Sequence, residues 1–133
     1  MGCLLGNGVR FGSPSDILAA GEGIETMLAL KSALPALPMI AGLSANHLAA
    51  LDLPPLLRRL YIARDNDAEG LRAANRLTAR HQDIDVRQLV PVHADFNLDL
   101  CRLGAEALRT RLCDQLVPDD RILIAQCDPP VRR

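Results

Sequence analysis

The chain has 133 residues, enough for one domain with a single core and too few to need dividing. Its 15 basic and 16 acidic residues leave a formal net charge of −1, which excludes a protein that grips nucleic acid by overall positive charge; any such contact must be local. Aromatic residues are limited to Phe11, Tyr61 and Phe96, which excludes a single-strand binder built on stacked bases.

Residues 1–15 are rich in glycine and serine, carry one short β-like stretch at Val9 to Phe11, and read as a lead-in or truncated linker. Ile17 to Ala20 is a short apolar run ending at Gly21-Glu22-Gly23. Ile24, Met27, Leu28 and Leu34 then recur at helical spacing up to Pro35, so the segment reads strand, tight turn, helix. Pro38 to Leu43 is a second apolar run, after which Ser44 is placed to cap a short helix through Leu51. Pro54-Pro55 closes that unit. Leu60 to Ala63 reads as a third strand, followed by Arg64-Asp65-Asn66-Asp67 and a helix from Glu69 to Arg80. Ile84 to Val90 is the fourth strand; Asp99 to Leu116 reads as one or two helices broken near Gly104. Arg121 to Gln126 is an apolar run suited to an extra edge strand or a partner contact.

Short apolar runs alternating with helices predict an α/β domain over residues 16–117 with a C-terminal tail, 118–133. Its centre is a mostly parallel four-stranded sheet flanked by helices, because parallel strands need crossovers. In such sheets ligands bind just beyond the strand carboxyl ends. Glu22 follows the first strand, Asp65 and Asp67 the third, Asp95 and Asp99 the fourth. Carboxylates gathered on one rim repel one another and raise each other's pKa, a cost that a hard cation such as Mg²⁺ removes. Asp65 and Asp67 are separated by one residue, so in an extended segment both face the same way and can share a metal. Taken singly, each acid can instead be a turn former or helix cap, Asp67 being the plainest case.

The strings Gly-Glu-Gly-Ile-Glu-Thr at 21–26, Ile-Ala-Arg-Asp-Asn-Asp-Ala-Glu-Gly at 62–70 and Asp-Phe-Asn at 95–97 resemble the Toprim family of primases, type IA and II topoisomerases and OLD-type nucleases. The nearest likeness is to Toprim domains of plasmid- and phage-associated primases and primase-helicases, over about residues 9 to 117. The resemblance implies a Toprim-like (Rossmann-like) fold in a DNA primase-like replication protein that performs Mg²⁺-dependent nucleotidyl or phosphoryl transfer, with Mn²⁺ as a substitute. It implies Glu22 as general acid/base or further ligand, and Asp65 and Asp67 as the metal-binding pair. Asp95 resembles the third acidic motif; Glu25 and Asp99 are further candidates for the metal or for support of its ligands. Many primases carry an aspartate four positions after the motif glutamate, where this chain has Thr26, and relatives often have another where Leu98 stands. The implied partners are DNA or RNA, nucleotides, and other domains or subunits of a primase/helicase assembly.

Arg64, beside the Asp pair, and Arg72 and Arg76 on the following helix are candidate phosphate contacts. With Arg80 the last two form one stripe that reads equally as a solvated face, Leu71, Ala74 and Leu77 turning to the sheet. His47, His81 and His93 stand alone. Cys3, Cys101, Cys113 and Cys127 form no zinc-ligand spacing, which suits a reduced, cytoplasmic protein, and Cys101 and Cys113 read as small core residues. No apolar run approaches the ~20 residues of a membrane span, so no membrane partner is expected. Two other readings remain: a noncatalytic module for partner or nucleic-acid docking, and a Toprim nuclease. A receiver-like phosphoacceptor is disfavoured by the lack of a lysine after the later strands.

Overall fold

A computed structural model of the chain describes residues 9–11, 16–42, 44, 48, 50, 52–53 and 55–125. Five strands, β1 (Val9–Phe11), β2 (Ile17–Gly21), β3 (Met39–Ala41), β4 (Arg59–Ala63) and β5 (Asp85–Leu89), form one sheet in the order β1-β3-β2-β4-β5. The four expected strands are parallel throughout, with Gly21 registered on Ala41 and Ala63, and Ala63 on Leu89. The fifth, β1, pairs antiparallel with β3 and lies within the expected lead-in, where three residues are too few for periodicity to separate a strand from a loop.

All five residues of β2 are buried, as a central parallel strand covered on both faces requires. One face packs Ile17, Ala19, Tyr61, Ala63 and Leu89 against α1 (Ile24–Ala33), α3 (Phe96–Leu103), α4 (Ala105–Gln115) and α5 (Pro118–Ala125). The other packs Leu18, Ala20, Leu60 and Ile62 against α2 (Ala68–Arg80). Strand alternation thus divides one apolar run between two cores. The helix expected from Ser44 through Leu51 lies outside the described residues apart from Ser44, Leu48 and Ala50; Leu48 is buried and its N–H donates to Ser44 O at 2.8 Å.

Gly104, at φ 86°, divides the 96–115 stretch into two helices at the expected break, a conformation that costs glycine little. Several other expectations are corrected. The apolar run after Arg121 belongs to helix α5 rather than a strand: Pro118 with Asp119 and Asp120 makes a helix first turn, and Ile124 joins the core while Ile122 stays exposed. Gln126 lies outside the described residues. On α2 the inward positions are Ala73, Ala74 and Leu77, leaving Leu71 exposed; on α1, Ile24 and Leu28 are exposed, the inward side being Met27, Ala29, Leu30 and Ala33. Cys101 is exposed and Cys113 only partly buried, so neither is a full core residue; Cys3 and Cys127 lie outside the described residues. No helix among the described residues is long and apolar enough to cross a membrane.

Candidate functional site

Counting only the parallel strands, chain order 1-2-3-4 becomes spatial order 2-1-3-4, so the connections leaving β2 and β4 depart to opposite sides. That reversal opens a crevice at the carboxyl ends of these two strands, the place where open α/β sheets bind ligands. The chain leaves β2 at Gly21 and meets Glu22 at once; it leaves β4 at Ala63 and reaches Asp65 two residues on. An open cleft of about 440 Å³ lies there, walled by Glu22, Gly23, Glu25, Thr26, Asp65, Asp95 and Asn97 among others.

The loops that carry these acids are tied to one another. Asn66 N–H donates to Ala94 O at 2.8 Å and its side-chain amide to His93 O at 3.4 Å, linking the Asp65/Asp67 loop to the one that bears Asp95. Asp67 and Asp95 are helix N-caps: Asp67 Oδ1 accepts from Gly70 N–H at 2.6 Å, and Asp95 Oδ1 from Leu98 N–H at 2.7 Å. Each cap satisfies an otherwise orphaned helix donor and fixes the carboxylate's position. Of the two readings of Asp67 from the sequence, the structure shows the cap; Asp67 is exposed and is not among the described residues that line the cleft.

Asp99 is buried at 1% exposure, with Oδ2 accepting from Val92 N–H and Oδ1 from His93 N–H, each at 2.8 Å. His93 Nδ1 lies 2.6 Å from Oδ1. Asp99 is therefore the clasp of the loop leading to Asp95 and not part of the cleft wall; His93, which stands alone in the sequence, is its partner. Glu25 is exposed at the cleft mouth. Arg64 is held beside Asp65 by Nε donating to Gln88 Oε1 at 2.7 Å and one terminal nitrogen donating to Asp65 O at 3.2 Å. Arg72 and Arg76 lie exposed on the outer side of α2.

Burial pushes the Glu22 carboxyl above its usual range, and the charges of Asp65, Glu69 and Asp67 push it the same way. Asp65 is likewise raised, by burial first and then by Asp67 and Asp95, against a hydrogen bond from Thr26 that favours its ionised form. Two of these residues were not foreseen. Glu69, in the first turn of α2, could have been found once Asp67 was placed as its N-cap, because that brings position 69 back toward the rim. Thr26 gave only the signal of a hydroxyl four positions after Glu22, on the next turn of the chain.

Among the described residues, none that lines the cleft is basic, so these give its acids no counter-charge on the wall. Hard oxygen donors without a counter-charge fit a divalent cation. Among the described residues, no three histidine, cysteine, aspartate or glutamate side chains stand close enough together to hold a metal ion as placed. Glu22 feels the charges of Asp65, Glu69 and Asp67, and Asp65 those of Asp67 and Asp95, so the acids crowd one another without closing into a cage among the described residues.

The glycines divide by role. A Cβ on Gly70 would stand 2.7 Å from Asp65 O and 3.0 Å from Asp67 Oδ1, so that glycine lets α2 start directly under the acidic loop. Gly70→Ala is expected to cost about 1–3 kcal/mol by overpacking, read as a lower midpoint in urea unfolding. A Cβ on Gly23 would meet nothing within 4 Å, so packing does not demand that glycine. It leaves the N-terminus of α1 bare beside the cleft, with no side-chain cap.

These features define a class: a doubly wound α/β domain with an acidic cleft at its switch point. The Toprim domain model matches residues 17–106, more than half of the 133-residue chain, and the chain belongs to the Toprim domain family. No curated protein matches it.

Proposed function

We propose that this Toprim domain docks a phosphate of nucleic acid or a nucleotide through Mg²⁺, or Mn²⁺ in its place, at Glu22, Asp65 and Asp95 with Asp67 at the rim, as one module of a primase-like replication assembly. The observation that carries this reading is the switch-point cleft, walled by acids from three strand ends and, among the described residues, by no basic one. A bound cation would neutralise both the carboxylates and the phosphate. The chain's own residues supply the rest. Asp65 and Asp95 present oxygens from linked loops, and Arg64 holds the Asp65 backbone in place. The uncapped first turn of α1, beside Gly23, offers backbone N–H groups to a phosphate oxygen.

Docking is favoured over turnover by the chain alone because the acids pair without forming a closed three-ligand cluster among the described residues. Nucleotidyl transfer is the second reading, and the raised proton affinity of Glu22 is what favours it: a carboxyl that holds a proton more tightly than usual can act as general acid or base beside a reacting phosphate.

Mn²⁺ calorimetry on the native chain, Glu22→Gln and Asp65→Asn tests the site. Loss of about tenfold or more in affinity is expected for Asp65→Asn, with a smaller loss for Glu22→Gln. Equal binding by all three proteins would overturn the assignment. Adding a nucleoside triphosphate to the same titrations tests the docking step, which requires cation-dependent binding of the nucleotide.

A further inference from the structure

Arg64 follows β4 directly, and its N–H still donates to Leu89 O at 3.2 Å, so the chain remains laid along β5 there. Side chains alternate along such an extended segment. Ala63 packs on the α1 side of the sheet and Ile62 on the α2 side, with Ile62 registered on Gln88. Arg64 accordingly turns to the α2 side, where its Nε donates to Gln88 Oε1 at 2.7 Å. Asp65, one residue on, lines the cleft with the first turn of α1. These two chain neighbours thus stand on opposite sides of one rim.

The Arg64 guanidinium is held but not neutralised. Gln88 takes Nε, and the Asp65 carbonyl takes one terminal nitrogen at 3.2 Å; both acceptors are neutral, and among the described residues no carboxylate pairs with it. Other arginines fixed by side chains meet acids instead: Arg58 meets Asp16, Arg59 meets Asp85 and Asp120, and Arg87 meets Asp85. Neutral tethers fix the fork while leaving its charge, and the N–H groups of the second terminal nitrogen remain for the oxygens of an anion. Ordering the side chain in advance removes part of the cost of binding.

We infer that Arg64 is a second phosphate subsite, on the α2 side of the rim, which takes one phosphate of a nucleic-acid strand while another is docked through the cation at Asp65. The inference rests on the docking function proposed above. It selects a strand over a free nucleotide. A strand carries its phosphates at intervals and can cross over the Asp65 loop, whereas those of a nucleoside triphosphate are joined directly and stay together at the cation. Because no described residue on the cleft wall is basic, the positive side chain for a second phosphate comes from beyond that wall.

The experiment is fluorescence anisotropy of a labelled single-stranded oligonucleotide with saturating Mn²⁺, over a series of salt concentrations. The full chain is compared with Arg64→Gln, Gln88→Glu, Gln82→Glu and Asp65→Asn. Arg64→Gln is expected to weaken the strand by about tenfold at low salt. It should also reduce the slope of log affinity against log salt by about 0.7, the share of one lost phosphate contact. Gln88→Glu keeps the tether to Arg64 and the hold on the Asp65 backbone but neutralises the guanidinium, so it should reduce the slope equally; it also carries the test if Arg64→Gln does not fold. Gln82→Glu adds the same charge at an exposed position before β5, at the far end of that strand from the rim, and should leave the slope at its native value. A merely structural Arg64 would make Gln88→Glu behave like Gln82→Glu, and that result overturns the subsite. So does a native chain that binds Mn²⁺ but no strand, or an equal loss by Gln88→Glu toward the strand and toward a nucleoside triphosphate. Asp65→Asn reports on the cation alone: strand binding at native strength with Mn²⁺ present overturns the docking reading, while the slopes still decide Arg64.

Discussion

Asp65→Asn is expected to make the cation-free protein more stable at pH 7 and to cut by about half or more the further stabilisation that Mg²⁺ gives the native chain. The first effect follows from the direction in which the carboxyl is shifted. Burial, Asp67 and Asp95 raise Asp65 above its ordinary 3.8, so the folded protein binds that proton more tightly than the unfolded one. Its contribution to stability is fully present below 3.8 and is lost as the pH rises through the raised value; at neutral pH the ionised group opposes folding. Glu22 acts with the same sign from its ordinary 4.5 upward. Asp85 has the opposite sign: the Arg59 hydrogen bond lowers it, so its support is present above its ordinary value and fades only as the pH falls through the lowered one. Asparagine keeps the shape of Asp65 and removes its charge. With solvent screening of a partly exposed cluster, the gain should be about 1 kcal/mol, or roughly 3–4 °C in thermal midpoint. A cation at 100 times its dissociation constant adds about 2.7 kcal/mol to a protein that binds it only when folded. Native protein should therefore overtake the variant once Mg²⁺ is added. A cation-free variant less stable than native would mean that the Asp65 charge is held by favourable partners instead of crowded by like charges.

The acids were legible because charge at the end of an apolar run is a local pattern. Glu22 and Asp65 leave their strands within two residues, and any parallel sheet brings such positions to one rim. What could not be read is that β2 and β4 are neighbours with a topological reversal between them: apolar runs predict strands but carry no information on their order. The same limit hid the place of Thr26 on the cleft wall with Asp65, 39 positions away in sequence and brought near only by that strand pairing. Asp99 shows the converse. From the sequence it is one more acid after the fourth strand, yet α3 starts three residues earlier than expected because Asp95 caps it, and that turns Asp99 inward to the N–H groups of Val92 and His93. At 121–126, β-branched apolar residues suggested a strand, but the three preceding residues, Pro118, Asp119 and Asp120, are strong helix-start signals and prevail.

Asp120→Ala is expected to have the largest effect on stability, about 3 kcal/mol. Asp120 is 1% exposed on α5, and both its oxygens accept from one terminal nitrogen of Arg59 at 2.8 Å. Tyr61 Oη donates to Asp120 Oδ2 at 2.5 Å and accepts from Val117 N–H at 2.9 Å. Burial first, and then the bond to Asp120, push the Tyr61 hydroxyl up to about 12, so it remains a donor throughout the physiological range. Removing one partner of a buried ion pair costs about 3–5 kcal/mol because the other charge stays behind. Here Arg59 keeps Asp85 at 3.0 Å, which places the loss at the lower end. Tyr61→Phe deletes a donor and an acceptor but no charge, and should cost about 1–2 kcal/mol. Urea unfolding measures both as a fall in midpoint at unchanged slope. If α5 were a loosely attached tail, Asp120→Ala would leave the midpoint where it was. The network also lies at the opposite end of β4 from the cleft, Arg59 opening the strand and Ala63 closing it before Asp65. The folded fraction of Asp120→Ala should therefore bind Mn²⁺ with native affinity, so that one strand carries a buried ionic clamp at its start and the proposed cation site at its end.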